Sequence, residues 1–233
     1  MFFRSLDDLS AGQGVADAGG SDAGRETEAV DAAATRPCAA PHTLCDDFDR
    51  DGGPAWTVDV QGAGELSYDP TTFHSSPRAL HVRRNRPGDA GLTRAVLRTS
   101  LPPRVSRTRC ELDLDVREVT GAASAGLEAV TFRFGERNPY VRLTAGNVAL
   151  YEGSDLLGQI AWTADRWMHL ALDYRWSPTV HYRLSVDGVT VVDVDRGGVA
   201  DAGAIDVTFG GWFESGEVGW DYAIDDIVCD SEP

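Results

Sequence analysis

Two stretches of the chain carry carboxylates at spacings that could do chemistry. In CDDFDRDGG, Asp47, Asp49, Asp51 and Gly52 read D-x-D-x-D-G, the opening of a calcium-binding loop. Such a loop closes on a bidentate carboxylate at its twelfth position, but that place holds Val58, and Pro54 takes the place of the usual apolar eighth residue. No flanking helix is legible, so the stretch reads as the first strand of a fold. The second candidate is Glu111-Leu112-Asp113-Leu114-Asp115. Spacing by two on a strand places Glu111, Asp113 and Asp115 on one face, close enough for a nucleophile, a helper and an acid/base at a glycosidic bond.

A third set has the chemistry of sugar recognition, which pairs flat aromatics against C–H faces with planar polar groups that fix hydroxyls. Alternation sends Thr131 and Arg133 out of EAVTFRF and packs Val130, Phe132 and Phe134 inward. By the same rule Tyr140 and Arg142 leave PYVRLT, Tyr151 leaves NVALYEG, and Trp212 leaves DVTFGGWFE. His169, Asp173 and Arg175 leave WMHLALDYRW on its polar side. The candidate platform is therefore Tyr140, Tyr151 and Trp212, and the candidate clamp is Arg133, Arg142 and Asp173. No G-x-S-x-G is present, and His42, His74, His81 and His181 are scattered. Gly197-Gly198 and Gly210-Gly211 lack the strand–loop–helix setting of a phosphate cradle.

The elements that must position these residues are short runs alternating apolar and polar side chains, broken by Gly, Pro, Asn and Asp. In RTRCELDLDVREV, Cys110, Leu112, Leu114 and Val116 share one face, and Glu111, Asp113, Asp115 and Arg117 the other. Asp187-Gly188, between two alternating runs, is a two-residue hairpin signal with φ > 0 at both positions. With Ser177-Pro178 as a turn, the segment around residues 167–196 predicts three consecutive antiparallel strands. No run keeps helical periodicity and no internal repeat appears, which predicts an all-β, two-sheet antiparallel β-sandwich.

The 233 residues, 42% of them hydrophobic, can build a sizeable core. A net charge of −16 argues against nucleic acid or an anionic membrane as partner. No apolar run approaches the roughly 18 residues of a membrane span. All 21 basic residues are Arg, which fits a GC-rich bacterial source. Nine of them fall between Arg78 and Arg109 beside the single acid Asp89, whereas Ser185 to Pro233 holds twelve acids and one Arg. The economical reading is that these are neighbouring strands whose charges offset one another.

Cys38, Cys45, Cys110 and Cys229 show neither C-x-x-C nor zinc spacing, and an even count without a redox motif points to two disulfides and an oxidising compartment. Three connectivities are open; closeness in sequence favours Cys38–Cys45, leaving Cys110–Cys229. Residues 1 to 37 are Ala, Gly, Asp, Ser and Thr with no aromatic after Phe3, too little apolar surface to offset ordering entropy, and are read as a disordered tether. Met1-Phe2-Phe3-Arg4 is too short for a signal-peptide apolar region. With the cysteines, the tether is read as that of an exported or surface-tethered, lipoprotein-like protein.

Three stretches, in order, resemble the concanavalin A-like lectin/glucanase superfamily. LCDDFDRDGGPAW resembles the first strand and following Trp of laminarinase-type glucanases. ADRWMHLALDYRWSPTVHYRLSVDG is similar to their Trp-His strand, Trp-Ser-Pro turn and strand ending in Val-Asp-Gly. YAIDDIVCD looks like the closing strand that returns beside the first. The resemblance implies a jelly roll over residues 38–233, with sugar on its concave face. It implies catalytic carboxylates in Glu-x-Asp-x-Glu order, which Glu111, Asp113 and Asp115 imitate with Asp in the last place. The catalytic strand of those enzymes would fall in EAVTFRFGERNPYVRL, which holds no carboxylate pair. The resemblance also implies a structural calcium between first and last strands, held by Asp46 or Asp47 with Asp225.

The expectation is an exported, non-catalytic, monomeric carbohydrate-binding or recognition module that needs no cofactor. The alternatives are an atypical laminarinase-like glycoside hydrolase using Glu111, Asp113 and Asp115, and a structural or protein-interaction domain of the envelope.

Overall fold

The computed structural model describes residues 37–49, 54–75, 77–84, 93–103, 105–120, 126–176, 179–197, 203–213 and 219–233. The expected tether, up to residue 36, and the Ser177-Pro178 turn lie outside the described residues. Among the described residues, a 3-10 turn, Pro37–Ala39, precedes fifteen strands. They are β1 (Leu44–Asp46), β2 (Thr57–Gln61), β3 (Gly64–Asp69), β4 (Ala79–Arg84), β5 (Thr93–Leu101), β6 (Arg107–Thr120), β7 (Gly126–Arg133) and β8 (Pro139–Thr144). There follow β9 (Asn147–Glu152), β10 (Asp155–Ala161), β11 (Trp167–Arg175), β12 (Val180–Val186), β13 (Val189–Arg196), β14 (Ile205–Phe213) and β15 (Gly219–Glu232).

All pairings between strands are antiparallel, and the strands form two sheets. The first runs β13-β12-β11-β6-β15-β4-β3 with β1 also on β15; the second runs β10-β9-β8-β7-β14-β5-β2. The expected three-strand segment is β11, β12 and β13, joined in order. Its second hairpin closes through Asp187 at φ 49° and Gly188 at φ 76°, both left-handed as the Asp-Gly pair requires. The closing strand returns beside the first, with Leu44 opposite Cys229 and Asp46 opposite Ile227.

Alternation builds the core between the sheets. On β11, Met168, Leu170, Leu172 and Tyr174 are buried while His169, Ala171 and Asp173 are only half-buried. Phe132 of the second sheet meets Tyr174 of the first edge-on at 4.7 Å between ring centroids, and Tyr174 meets Tyr182 edge-on at 5.4 Å. Such interlocking aromatics fix how the two sheets sit on each other.

Both disulfides form as read from the sequence, Cys38–Cys45 and Cys110–Cys229. The second joins directly opposed residues of β6 and β15 and closes a separation of 119 residues. A loop of that length is worth about 4–5 kcal/mol in chain-entropy terms. The Arg-rich and acidic stretches are indeed neighbours: Arg83 of β4 faces Asp221 of β15 at 3.5 Å, and Arg107 of β6 faces Glu232 at 3.5 Å.

Candidate functional site

Strand register lines up the side chains on the outer face of the second sheet. Gln61, Arg94, Trp212, Glu128 and Arg142 are successive cross-strand partners on β2, β5, β14, β7 and β8. A parallel row runs Thr57, Arg98, Thr208, Thr131, Tyr140 and Tyr151, ending on β9. Ser100, Asp206 and Arg133 form a third. Directly opposed residues share a face, so all of these stand on the same side of the sheet. A groove of about 320 Å³ opens among Thr57, Arg98, Thr131, Arg133, Thr208 and Trp212.

The glycines that sequence reasoning set aside shape this groove. Register slips between β14 and β7 at Phe209/Trp212, where Gly210 adopts φ 123°. A Cβ on Gly210 would lie 2.2 Å from the carbonyl of Ala95, so only glycine fits this bulge. The bulge bends β14 just before Trp212. The Arg94 guanidinium lies 5.6 Å from the centre of the Trp212 ring, within cation–π range. Arg94 and Arg98 both approach Asp59, at 3.1 and 3.4 Å. Arg133, exposed at the groove wall, forms no ion pair with a described residue.

At the far end of the second row Tyr140 and Tyr151 stack, with centroids 5.4 Å apart and planes 6° from parallel. Arg142 sits 5.7 Å over Tyr151. Tyr140 itself is 8% exposed and donates its hydroxyl to the Gly153 carbonyl at 2.9 Å. Burial, and secondarily Glu128, push its hydroxyl pKa up. Tyr140 therefore supports Tyr151 from below and is not itself an open platform.

Five of the six expected sugar-site residues, Arg133, Tyr140, Arg142, Tyr151 and Trp212, share this sheet face. Asp173 does not. It leaves the core as alternation requires, but from β11 of the first sheet, on the opposite side of the sandwich. There Arg107 grips it through two hydrogen bonds, Nε to Oδ1 at 2.8 Å and Nη2 to Oδ2 at 2.6 Å. Against the penalty of burial, Arg107 holds the Asp173 carboxyl below its usual range. Arg94, Arg98, Asp59 and Thr208 were missed. The i, i+4 spacing of Arg94 and Arg98 in TRAVLRT was the available signal, because it puts both on one strand face.

The carboxylate trio Glu111, Asp113 and Asp115 lies on the outer face of the first sheet. Asp113 and Asp115 are only 6% and 5% exposed there. The loop between β3 and β4 brings His74 to 3.3 Å from Asp113, and His169 lies 3.1 Å from it on the other side. Glu111 pairs with Arg109, and Asp115 with Arg117 at 3.5 Å. Burial raises the pKa of Asp115, with Arg117 opposing.

The carboxylates expected at a calcium, Asp46 or Asp47 with Asp225, accept hydrogen bonds from nearby N–H groups. Asp46 accepts the Phe48 N–H at 2.8 Å and the Trp56 indole N–H at 2.5 Å. Asp47 is buried and accepts the Asp49 N–H at 3.3 Å. Asp225, fully buried, accepts the N–H groups of His74 and Ser75, each at 2.9 Å, and so anchors the β3–β4 loop. Burial and the adjacent Asp226 push its pKa up to about 7. Among the described residues, Asp46, Asp47 and Asp225 do not converge as a donor group; His74, Asp113 and Asp226 do.

The sequence matches no protein-family model and no curated relative. By structure it is similar to endo-β-1,4-glucuronan lyase from the fungus Trichoderma reesei, at 12% identity and TM-score 0.64 over 82% of this chain and 95% of that one. It is also similar to the cellulose-induced protein Cip1, at 15% identity and TM-score 0.63 over 80% and 96%. The fold is a concanavalin A-like jelly roll. A third similar structure is an alginate lyase in complex with an alginate trisaccharide, at 10% identity and TM-score 0.56 over 83% and 99%. The jelly roll and its two sheets are therefore as the three sequence stretches implied.

Proposed function

We propose that the outer face of the second sheet is a glycan-binding groove and that the protein is an exported carbohydrate-recognition module. The observation that carries this reading is the convergence of Trp212, Thr131, Thr208, Arg98 and Arg133 on one groove. An indole can cover the C–H face of a sugar ring, and the hydroxyls and guanidinium groups around it can fix polar substituents. Arginine forks suit carboxylates, so chains of uronic acid are the favoured glycans. A locally arginine-rich face on a chain of net charge −16 supports that choice. So do the fold neighbours, two of which are lyases of glucuronan and alginate. The two disulfides suit an oxidising, extracytoplasmic setting.

Recognition is favoured over turnover. Among the residues named on the groove face there is no His, and the Tyr140 hydroxyl is already donated to a carbonyl with its pKa raised. Neither is a poised general base. On the opposite face, Glu111, Asp113 and Asp115 each meet a basic partner.

Titration calorimetry with an oligoglucuronate and a neutral β-glucan of equal length tests the reading. Saturable binding of the uronate, weakened in Arg98→Ala and in Trp212→Ala, supports it. Equal binding by parent and both variants, or no binding of any glycan, rejects it.

A further inference from the structure

On the opposite face of the sandwich, three distant parts of the chain meet at one point. His74 comes from the loop between β3 and β4, Asp113 from the middle of β6, and Asp226 from the irregular register of β15 between Asp225 and Val228. One donor atom from each lies within 4.8 Å of the others. The Nδ1 of His74 is 3.1 Å from Oδ2 of Asp226 and 3.3 Å from Oδ2 of Asp113. A tetrahedral ion with bonds of about 2.0–2.1 Å separates its donors by roughly 3.3 Å. The two distances from His74 match the edges of such a site.

Each carboxylate is also oriented through its second oxygen. Oδ1 of Asp113 faces Nδ1 of His169 at 3.1 Å, and Oδ1 of Asp226 accepts the Ser75 hydroxyl at 2.7 Å. Outer contacts of this kind aim ligating oxygens and tune their basicity. The His74 ring rests against Trp167, with centroids 5.7 Å apart. Its side chain is 49% exposed, which leaves solvent access to a fourth coordination position.

We propose that His74, Asp113 and Asp226 bind a divalent transition-metal ion of the zinc class, which ties the β3–β4 loop to the outer face of the first sheet. One imidazole and two carboxylates suit a borderline ion, whereas calcium demands six to eight oxygens. The competing arrangement is His74 hydrogen-bonded between the two carboxylates with no metal. The site lies across the sandwich from the groove and does not rest on the glycan reading.

The test is the chelator-stripped full chain titrated separately with Zn²⁺ and Ca²⁺, followed by calorimetry and by the thermal midpoint. One equivalent of Zn²⁺ should bind and raise the midpoint, and His74→Gln should weaken that binding at least tenfold without lowering the metal-free midpoint. Asp226→Asn, changed on a second segment, should do the same. The proposal is overturned if Zn²⁺ leaves the parent midpoint unmoved, if both variants bind Zn²⁺ like the parent, or if Ca²⁺ binds as tightly as Zn²⁺.

Discussion

The two outer faces of this sandwich are built by the same alternation and carry opposite chemistry. On the second sheet, Arg94, Arg98, Arg133 and Arg142 stand among Trp212 and Tyr151 around an open groove. On the first, Asp113, Asp115 and Asp225 are sheltered by the β3–β4 loop and by His and Arg partners. One face sets Arg133 and an aromatic surface around a groove, with Arg94 and Arg98 held beside Asp59. The other spends its polar groups on one another and on pinning a loop. Counting charges would have ranked the acidic face as the active one, because its carboxylates have the spacing of a glycosidase. Their partners argue the reverse.

That contrast can be broken by substitutions of graded effect. The largest should come from Phe132→Ala beneath both faces, which removes the edge-on contact with Tyr174. A loss of about 3–5 kcal/mol in chemical denaturation is expected, with both faces impaired together. Next, Arg98→Ala with Trp212→Ala should weaken oligouronate binding on the order of 30-fold, about 2 kcal/mol, while the midpoint stays near the parent's. Asp173→Asn should cost about 1 kcal/mol of stability at neutral pH and leave glycan affinity unchanged.

The pH dependence of that last effect has a definite sign. Arg107 holds the folded Asp173 below its ordinary value of 3.8, so the contribution is present above that value. It is lost as the pH falls through the folded pKa. Denaturation curves of parent and Asp173→Asn should therefore converge on acidification. The smallest effect is expected from Tyr140→Phe, which removes one neutral hydrogen bond to Gly153 and should cost about 1 kcal/mol or less.

How much of this was legible follows from what alternation encodes. It told correctly that Val130, Phe132 and Phe134 enter the core and that Arg133 leaves it. It also told that Asp173 leaves the core, but period two carries no label for which sheet a strand joins, and Asp173 left from the wrong one. Sheet membership is set by long-range pairing, such as β6 between β11 and β15, which no local window contains. The pairing of Cys110 with Cys229 was legible because four cysteines leave few choices. The meeting of His74 with Asp113 and Asp226 was not, since a loop residue carries no periodicity to place it. Gly210-Gly211 was read only for the cradle it lacks, and its part in the bulge beside Trp212 needed the register.

The central claim is that ligand binding belongs to the arginine-and-tryptophan face. Calorimetric titration of an oligoglucuronate into parent, Arg98→Ala/Trp212→Ala and Asp113→Asn proteins tests it most directly. The expected result is parent-like affinity in Asp113→Asn and a loss of tens of fold in the double variant. Unchanged affinity in the double variant with loss in Asp113→Asn would contradict it and move the site to the other face.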